Sequence, residues 1–393
     1  MGRITISNHG ALFLNERRSQ SWSTTIAHRA YRLSNSLGLQ VCGGGAVHMP
    51  NRLYLVSMKI IKILWHILST LCMIFAAQVH AQSIEAITSH YSGRLEWQAN
   101  SGTLQFLSSG RIDFARPDFR SSIWEVPVEV KRIVLERGVR VEAAFTTHSS
   151  LDIEGQGPEQ SEIFGTPTPA LLHNAKLDQG GGCVPYSAIY AEGKDVVVNV
   201  RNLRSLNPIG FHFTGHKGAV MHLDHIEAID DRGGVSNHSD GIQAGPGSTV
   251  SNSYFATGDD VIKVYNDITV TDTTIRMILN AVPVQFGWGS YGDGAHGTFR
   301  NLRIVGNSGR NKDFPVFNAH AGVYRKTLEI DGLEIDAPQS TLFRFNEPKA
   351  NIDISIRNAR IRVGRYGDQI NAGGERHVCD SLDQRNTYDC KPN

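Results

Sequence analysis

The chain has 393 residues, of which 40% are hydrophobic and 20% charged, with 39 glycines and 14 prolines. That is too apolar for a disordered chain, shows no collagen-like glycine period, and suffices for one large domain or two ordinary ones. Overall 39 Lys+Arg face 38 Asp+Glu, but residues 1–81 hold eight of the basic residues and one acid, Glu16, so the remainder is net acidic and poorly suited to a nucleic-acid partner.

The N-terminal charge excess has a local cause. Residues 58–81 read as a signal peptide: Lys59 and Lys62 form a basic start, residues 63–77 (ILWHILSTLCMIFAA) an apolar run, and Val79-His80-Ala81 a small-residue cleavage site. The run is short for a membrane span, although a retained anchor is the alternative. Residues 1–57 lack hydrophobic periodicity and precede the better start at Met58, so they read as a non-native or disordered leader. Export to the periplasm or the outside is the expectation. Cys42 and Cys72 leave with this segment. Cys379 and Cys390 are placed to form a disulfide in an exported tail, and Cys183 remains as a buried thiol.

From residue 82 onward helix signals nearly vanish. Residues 82–127 read as a strand-rich lead-in or cap, 128–363 as the main domain, and 364–393 as a polar tail. Coils are expected to begin near residue 128, residues 130–145 (VKRIVLERGVRVEAAF) alternating as a first coil would, and 155–183 read as a long Gly- and Pro-rich loop. A pattern then recurs: an apolar residue, Asn or Asp two places on, and an apolar residue three beyond that. Copies start at Val250, Val270, Phe299 and Ile356, with looser ones at Val200, Met221 and Leu328, at intervals of 20 to 29 residues. Such a period with several short strands predicts an all-β, right-handed parallel β-helix. Each coil buries its apolar side only by stacking on its neighbours. Asn and Asp suit the turns. A β-sandwich also has many short strands, but it does not account for the repeat.

Three acids stand out in this frame: Asp240 in Asn237-His-Ser-Asp240-Gly241, and the pair in Gly258-Asp259-Asp260. The first lies 19 positions before the pair, about one coil, and adjacent strands are about 4.8 Å apart. The three carboxyls therefore gather on one outer face, provided the backbone bends at Gly258. Ile262 and Val264 would then point inward, and Lys263 and Tyr265 into the same cleft. Carboxyls held together cannot all ionise, and a protonated one beside ionised ones is what general acid–base chemistry needs. Turn-forming or calcium-binding acids are the structural alternatives. Calcium wants six to eight oxygens and tolerates a neighbouring Lys263 poorly. His212, His216, His222 and His225 read as surface or stacked histidines, since the first spacing suits a helix rather than a strand.

Residues 239–290 (SDGIQ…TGDDVIKVYNDITVTDTTIRMILNAVPVQFGWGS) resemble glycoside hydrolase family 49, the dextranase and isopullulanase family. The matching features are Asp240-Gly241, Gly258-Asp259-Asp260, Ile262-Lys263, Tyr265, and Pro283-Val284-Gln285-Phe286-Gly287-Trp288. More distantly the acids are similar to those of polygalacturonases, whose Gly-His-Gly and Arg-Ile-Lys have no counterpart as such. Ala295-His296-Gly297 is offset. The resemblance implies a β-helix that hydrolyses α-glucans with inversion, needing no metal or other cofactor. Asp259 would be the general acid, and Asp240 and Asp260 would share the general-base task across roughly 6.5–9.5 Å. Lys263, Tyr265 and Gln285 are candidates for binding substrate, with an ion pair to a catalytic aspartate the alternative for Lys263, and Trp288 either stacks on a sugar ring or is a core tryptophan under a turn. The resemblance would include a β-sandwich domain ahead of the helix, which is expected to be missing or vestigial here, since few residues lie between the signal-like segment and the expected first coil. A monomeric enzyme with a polysaccharide substrate, most simply dextran, is expected. Another polymer (pectin, pullulan, or one containing galactose or arabinose), a calcium-dependent lyase and a carbohydrate-binding solenoid are the competing readings.

Overall fold

The computed structural model describes residues 83–116, 118–168, 184–233, 237–278, 280–288, 293–306, 314–320, 322–345, 350–370, 376–382 and 388–392. Residues 1–57 and 58–81, read above as a leader and a signal peptide, and Cys183 lie outside the described residues, as do the side chains from 368 onward. No helix among the described residues is long and apolar enough to cross a membrane.

The chain winds as a right-handed parallel β-helix. Parallel pairing runs from Thr103, opposite Arg132, to Asp368, opposite Arg344. One column of inward side chains passes through Trp124, Phe145, Ile189, Phe213, Ile242, Ile262, Val284, Phe317 and Phe343, each directly above its partner in the next coil. All of these are fully buried. A second column passes through Leu104, Ile133, Ile153, Val200, Leu223, Val250, Val270, Phe299, Ile330 and Ile356. Burying each such side chain contributes roughly 1.5–3 kcal/mol, which no single coil achieves alone.

The repeated Asn or Asp has a definite job. Asn202, Asn252, Asp272, Asn301 and Asn358 adopt left-handed backbone conformations with φ between 49° and 56°. There the chain turns from one sheet into the next. This conformation is costly for most L-residues and least so for Gly, Asn and Asp. The side chains also bind across coils: Asn301 Nδ2 donates to Asp272 Oδ1 at 2.8 Å, and Asn252 Nδ2 donates to Asp224 Oδ1 at 2.8 Å. In two of the three looser copies the register falls two residues later than the pattern suggested, whereas Val200 lies in register. Leu223 and Ile330, rather than Met221 and Leu328, pair with Val250 and Phe299. The turn position is filled there by His225 (φ 54°) and Gly332 (φ 82°), neither of which carries the Asn/Asp signature.

The ladder also begins earlier than the coil start expected near residue 128. Thr103–Phe106, Gly110–Arg111 and Ile123–Val126 already pair in parallel with the next coil. These strands are short and lack the Asn turn, so the repeat was invisible there. A helix, Ile84–His90, and an antiparallel strand, Leu95–Gln98, cover this end. Tyr91 packs edge-on against Phe106. At the far end the last strands pair antiparallel, with Cys379 and Cys390 directly opposite in register; the proposed disulfide itself involves side chains outside those described.

Candidate active site

The three acids come together at the edge of the sheet that carries Phe213, Ile242, Ile262 and Val284. Asp240 precedes the strand Ile242–Gln243, and Asp259 and Asp260 precede the strand Ile262–Lys263. The two coils touch through their backbones: Gly241 N donates to Asp260 O at 2.9 Å, and Ile242 N donates to Val261 O at 2.8 Å. A Cβ on Gly241 would sit 2.3 Å from the Val261 carbonyl oxygen, so only glycine permits this approach. The chain bends at Gly258 and Asp259. Gly258 is needed there for room: a Cβ would meet Ser239 Oγ at 2.8 Å.

Past the bend the strand alternates as expected. Ile262 and Val264 join the core, while Lys263 lies on the other side, ion-paired to Asp240 Oδ2. Lys263 is not open to solvent; it is 6% exposed, and its ammonium also sits 4.3 Å from the Phe211 ring centroid. Tyr265 is buried as well. Its ring lies between two ammonium groups, 5.6 Å from Lys263 Nζ and 5.4 Å from Lys326 Nζ. Gln285 is fully buried and donates from Nε2 to Asp260 Oδ1 at 3.2 Å. Trp288 is 47% exposed, and its indole N–H donates to Asp260 Oδ2 at 2.7 Å. Its ring also packs against His320 at 4.4 Å.

Asp260 thus has a donor on each carboxylate oxygen. Asp259 accepts from the Asp260 amide at 3.0 Å, and its Oδ2 contacts His238 Nδ1. Asn280 also hydrogen-bonds the Asp259 carboxyl. Asp240 has Lys263 on one oxygen and no hydrogen-bond partner on Oδ1 among the described residues.

Burial is the main force on the proton affinities. It pushes all three carboxyls above the ordinary range, Asp240 and Asp259 furthest. The charge of Asp260 adds to the rise at Asp259. At Asp260 the Lys263 ammonium and the Trp288 and Gln285 donors pull back toward the ionised form. Burial alone would lower Lys263, but Asp240, Asp260 and Asp259 more than offset it and keep the ammonium charged. Asp240 and Asp259 are thus the two carboxyls pushed furthest toward the protonated form.

His238, Asn280 and His320 were not singled out from the sequence. Their roles depend on which coil lies next to which, and no local pattern marks them. The four histidines thought to be surface or stacked residues separate. His216 stacks on Tyr190 at 6.0 Å, but His212 is fully buried, bonded to Ser205 Oγ at 2.8 Å, and its pKa is lowered by burial to about 3. No group of three or more His, Cys, Asp or Glu among the described residues is arranged to hold a metal ion.

No family model matches the chain. It is 24% identical over 181 residues to a dextranase of Arthrobacter sp. (strain CB-8), covering 44% of this chain and 28% of the relative. It is 24% identical over 175 residues to a dextranase of Arthrobacter globiformis, covering 42% of this chain and 27% of the relative. The chain therefore spans less than a third of the length of these relatives. Among solved structures it is similar to Dex49A from Penicillium minioluteum, with a TM-score of 0.53 and 15% identity, over 68% of this chain and 50% of that one. The chain is dextranase-like in sequence over about two fifths of its length, as the resemblance to glycoside hydrolase family 49 led one to expect, and it shares the fold of Dex49A.

Proposed function

We propose that this chain is an exported, inverting glycoside hydrolase that cleaves internal α-1,6-glucosidic bonds of dextran. The observation that carries the reading is the carboxyl trio with unequal partners. Asp260 is held by the Trp288 and Gln285 donors, Asp240 by the Lys263 ammonium, and Asp259 lies among them with its proton affinity raised by burial and by Asp260. Asp259 protonates the glycosidic oxygen as the C1–O bond breaks. A water bonds to C1 from the opposite face and passes its proton to Asp240 or Asp260. Asp240 Oδ1, buried and without a partner among the described residues, supplies an acceptor for that water. The trio works without a metal in this reading.

A neutral glucan fits these groups better than a polyuronide. A substrate carboxylate would be repelled by three acids, and Lys263, the cation that touches them, is already engaged by Asp240. Trp288 offers a half-exposed indole for the C–H face of a hexose, with the ring fixed by its bond to Asp260. The dextranase names of the sequence relatives support the choice of dextran. The signal-like segment 58–81 supports export. Incubation with a polysaccharide panel tests the reading. Dextran should yield short oligosaccharides whose new reducing ends first appear as the β-anomer by NMR, and Asp259→Asn should abolish them. Preference for pectin, or activity that survives Asp259→Asn, would overturn it.

A further inference from the structure

The Asp259 carboxyl has an ionisable partner that the trio does not account for. His238 Nδ1 lies in hydrogen-bond contact with Asp259 Oδ2, although the two are 21 residues apart in sequence. Their loops are tied together, since Gly258 N donates to Ser239 Oγ at 2.9 Å. Asp230, in a buried ion pair with Arg232, is in hydrogen-bond reach of Ser239, the C-terminal neighbour of His238. Arg232 in turn donates to the carbonyls of Thr168 and Pro208, at 2.7 and 2.8 Å. The loop is therefore anchored next to His238, through Ser239, and the imidazole is held against Asp259. One part of it stays in touch with solvent, the side chain being 21% exposed.

We propose that His238 is a positioning residue that shares one proton with Asp259 and retains it in the site through neutral pH. This rests on the hydrolase reading above. A carboxyl oxygen and an imidazole nitrogen in such contact need one proton between them. Two arrangements hold it, imidazolium with carboxylate and imidazole with carboxylic acid, and both have the same net charge. The described charged groups facing the pair are the Asp260 and Asp240 carboxylates and the Lys263 ammonium. With one ammonium against two carboxylates, losing the shared proton would leave a further uncompensated negative charge. Asp259 alone offers that proton one site; the pair offers two, joined by a charge-assisted hydrogen bond. The proton therefore leaves at higher pH with His238 present than without it. In the reaction Asp259 gives it to the leaving oxygen. The base later releases the proton it took from water, and a solvent proton reaches Asp259 by way of the partly exposed imidazole.

The test compares the full chain with His238→Gln and His238→Asn, each checked for an unchanged melting temperature. For the cleavage of dextran, the alkaline limb of kcat/KM should move down by about one pH unit or more in both variants, with the acid limb in place. A limb that does not move in either variant overturns the proposal. A second readout needs no activity. In chain carrying 13C-labelled histidine, the His238 resonance, identified by its loss in His238→Gln, should titrate at lower pH in Asp259→Asn than in the parent. An unshifted titration overturns the shared proton. If the parent does not cut dextran the hydrolase reading fails, and the histidine titration still decides this one.

Discussion

Replacing Asp259 with Asn should give a protein that is inactive yet more stable than its parent at neutral pH. The amide is almost isosteric, keeps an acceptor for the Asp260 N–H (3.0 Å in the parent), and cannot ionise. In the parent, burial first and the Asp260 charge second raise the Asp259 carboxyl well above its usual range. A carboxyl with a raised folded-state pKa binds its proton more tightly in the folded chain than in the unfolded one. Its stabilising contribution is complete below the unfolded value, about 3.9, and is lost as pH rises through the folded value. The amide has no such proton to lose. Parent and variant should therefore lie closest in acid and diverge as pH increases. Each unit by which the folded-state pKa lies above the unfolded one removes about 1.4 kcal/mol of the parent's stability at neutral pH. The donors around Asp259 limit that rise, so a gain of about 1–3 kcal/mol is expected at pH 7, or several degrees in Tm. Urea unfolding at about pH 4, 5.5 and 7 measures it, with dextran hydrolysis followed on the same samples. No gain at pH 7, or a gain equally large at pH 4, would refute the reasoning.

Other substitutions probe the remaining contacts. Lys263→Met leaves Asp240 buried beside two other acids; breaking such a pair costs about 3–5 kcal/mol, and unfolding curves should show the loss at pH 7 and its recovery toward pH 4 as Asp240 protonates. Trp288→Phe keeps an aromatic ring but removes the 2.7 Å donor to Asp260, so the acid limb of the kcat/KM profile should rise by about one pH unit, whereas Trp288→Ala should in addition raise KM for dextran. Lys326 is buried, donates to the Val264 carbonyl at 2.8 Å, and has its pKa lowered by burial to about 8. The folded chain thus releases this proton before the unfolded one does, and between pH 8 and about 10.4 the parent should gain stability relative to Lys326→Met, read by unfolding at both ends of that window. Gly332→Ala should cost about 1–3 kcal/mol, since Gly332 has φ 82° and a Cβ there would lie 2.7 Å from Asn301 Oδ1; Tm reports it.

The architecture was readable because it repeats. Apolar residues separated by an Asn or Asp recur coil after coil, and at Asn252, Asp272, Asn301 and Asn358 the residue type records a left-handed turn. Local chemistry of that kind survives in a one-dimensional string. So does the adjacency of Asp259 and Asp260, and the single-coil spacing back to Asp240. Where another residue does the same work the trace is lost, as at His225 and Gly332, whose coils were read two positions out of register.

What the chain by itself determined was therefore the solenoid and the gathering of three acids on one edge of it. Tertiary structure alone decided how those acids are divided. Loops of unequal length set which side chain of one coil stands over which side chain of the next. Only that stacking brings Trp288 and Gln285 to Asp260, Lys263 to Asp240, and His238 and Asn280 to Asp259. Proton affinity depends on neighbours within a few ångströms and on exclusion of water, and neither is a property of residues close in sequence.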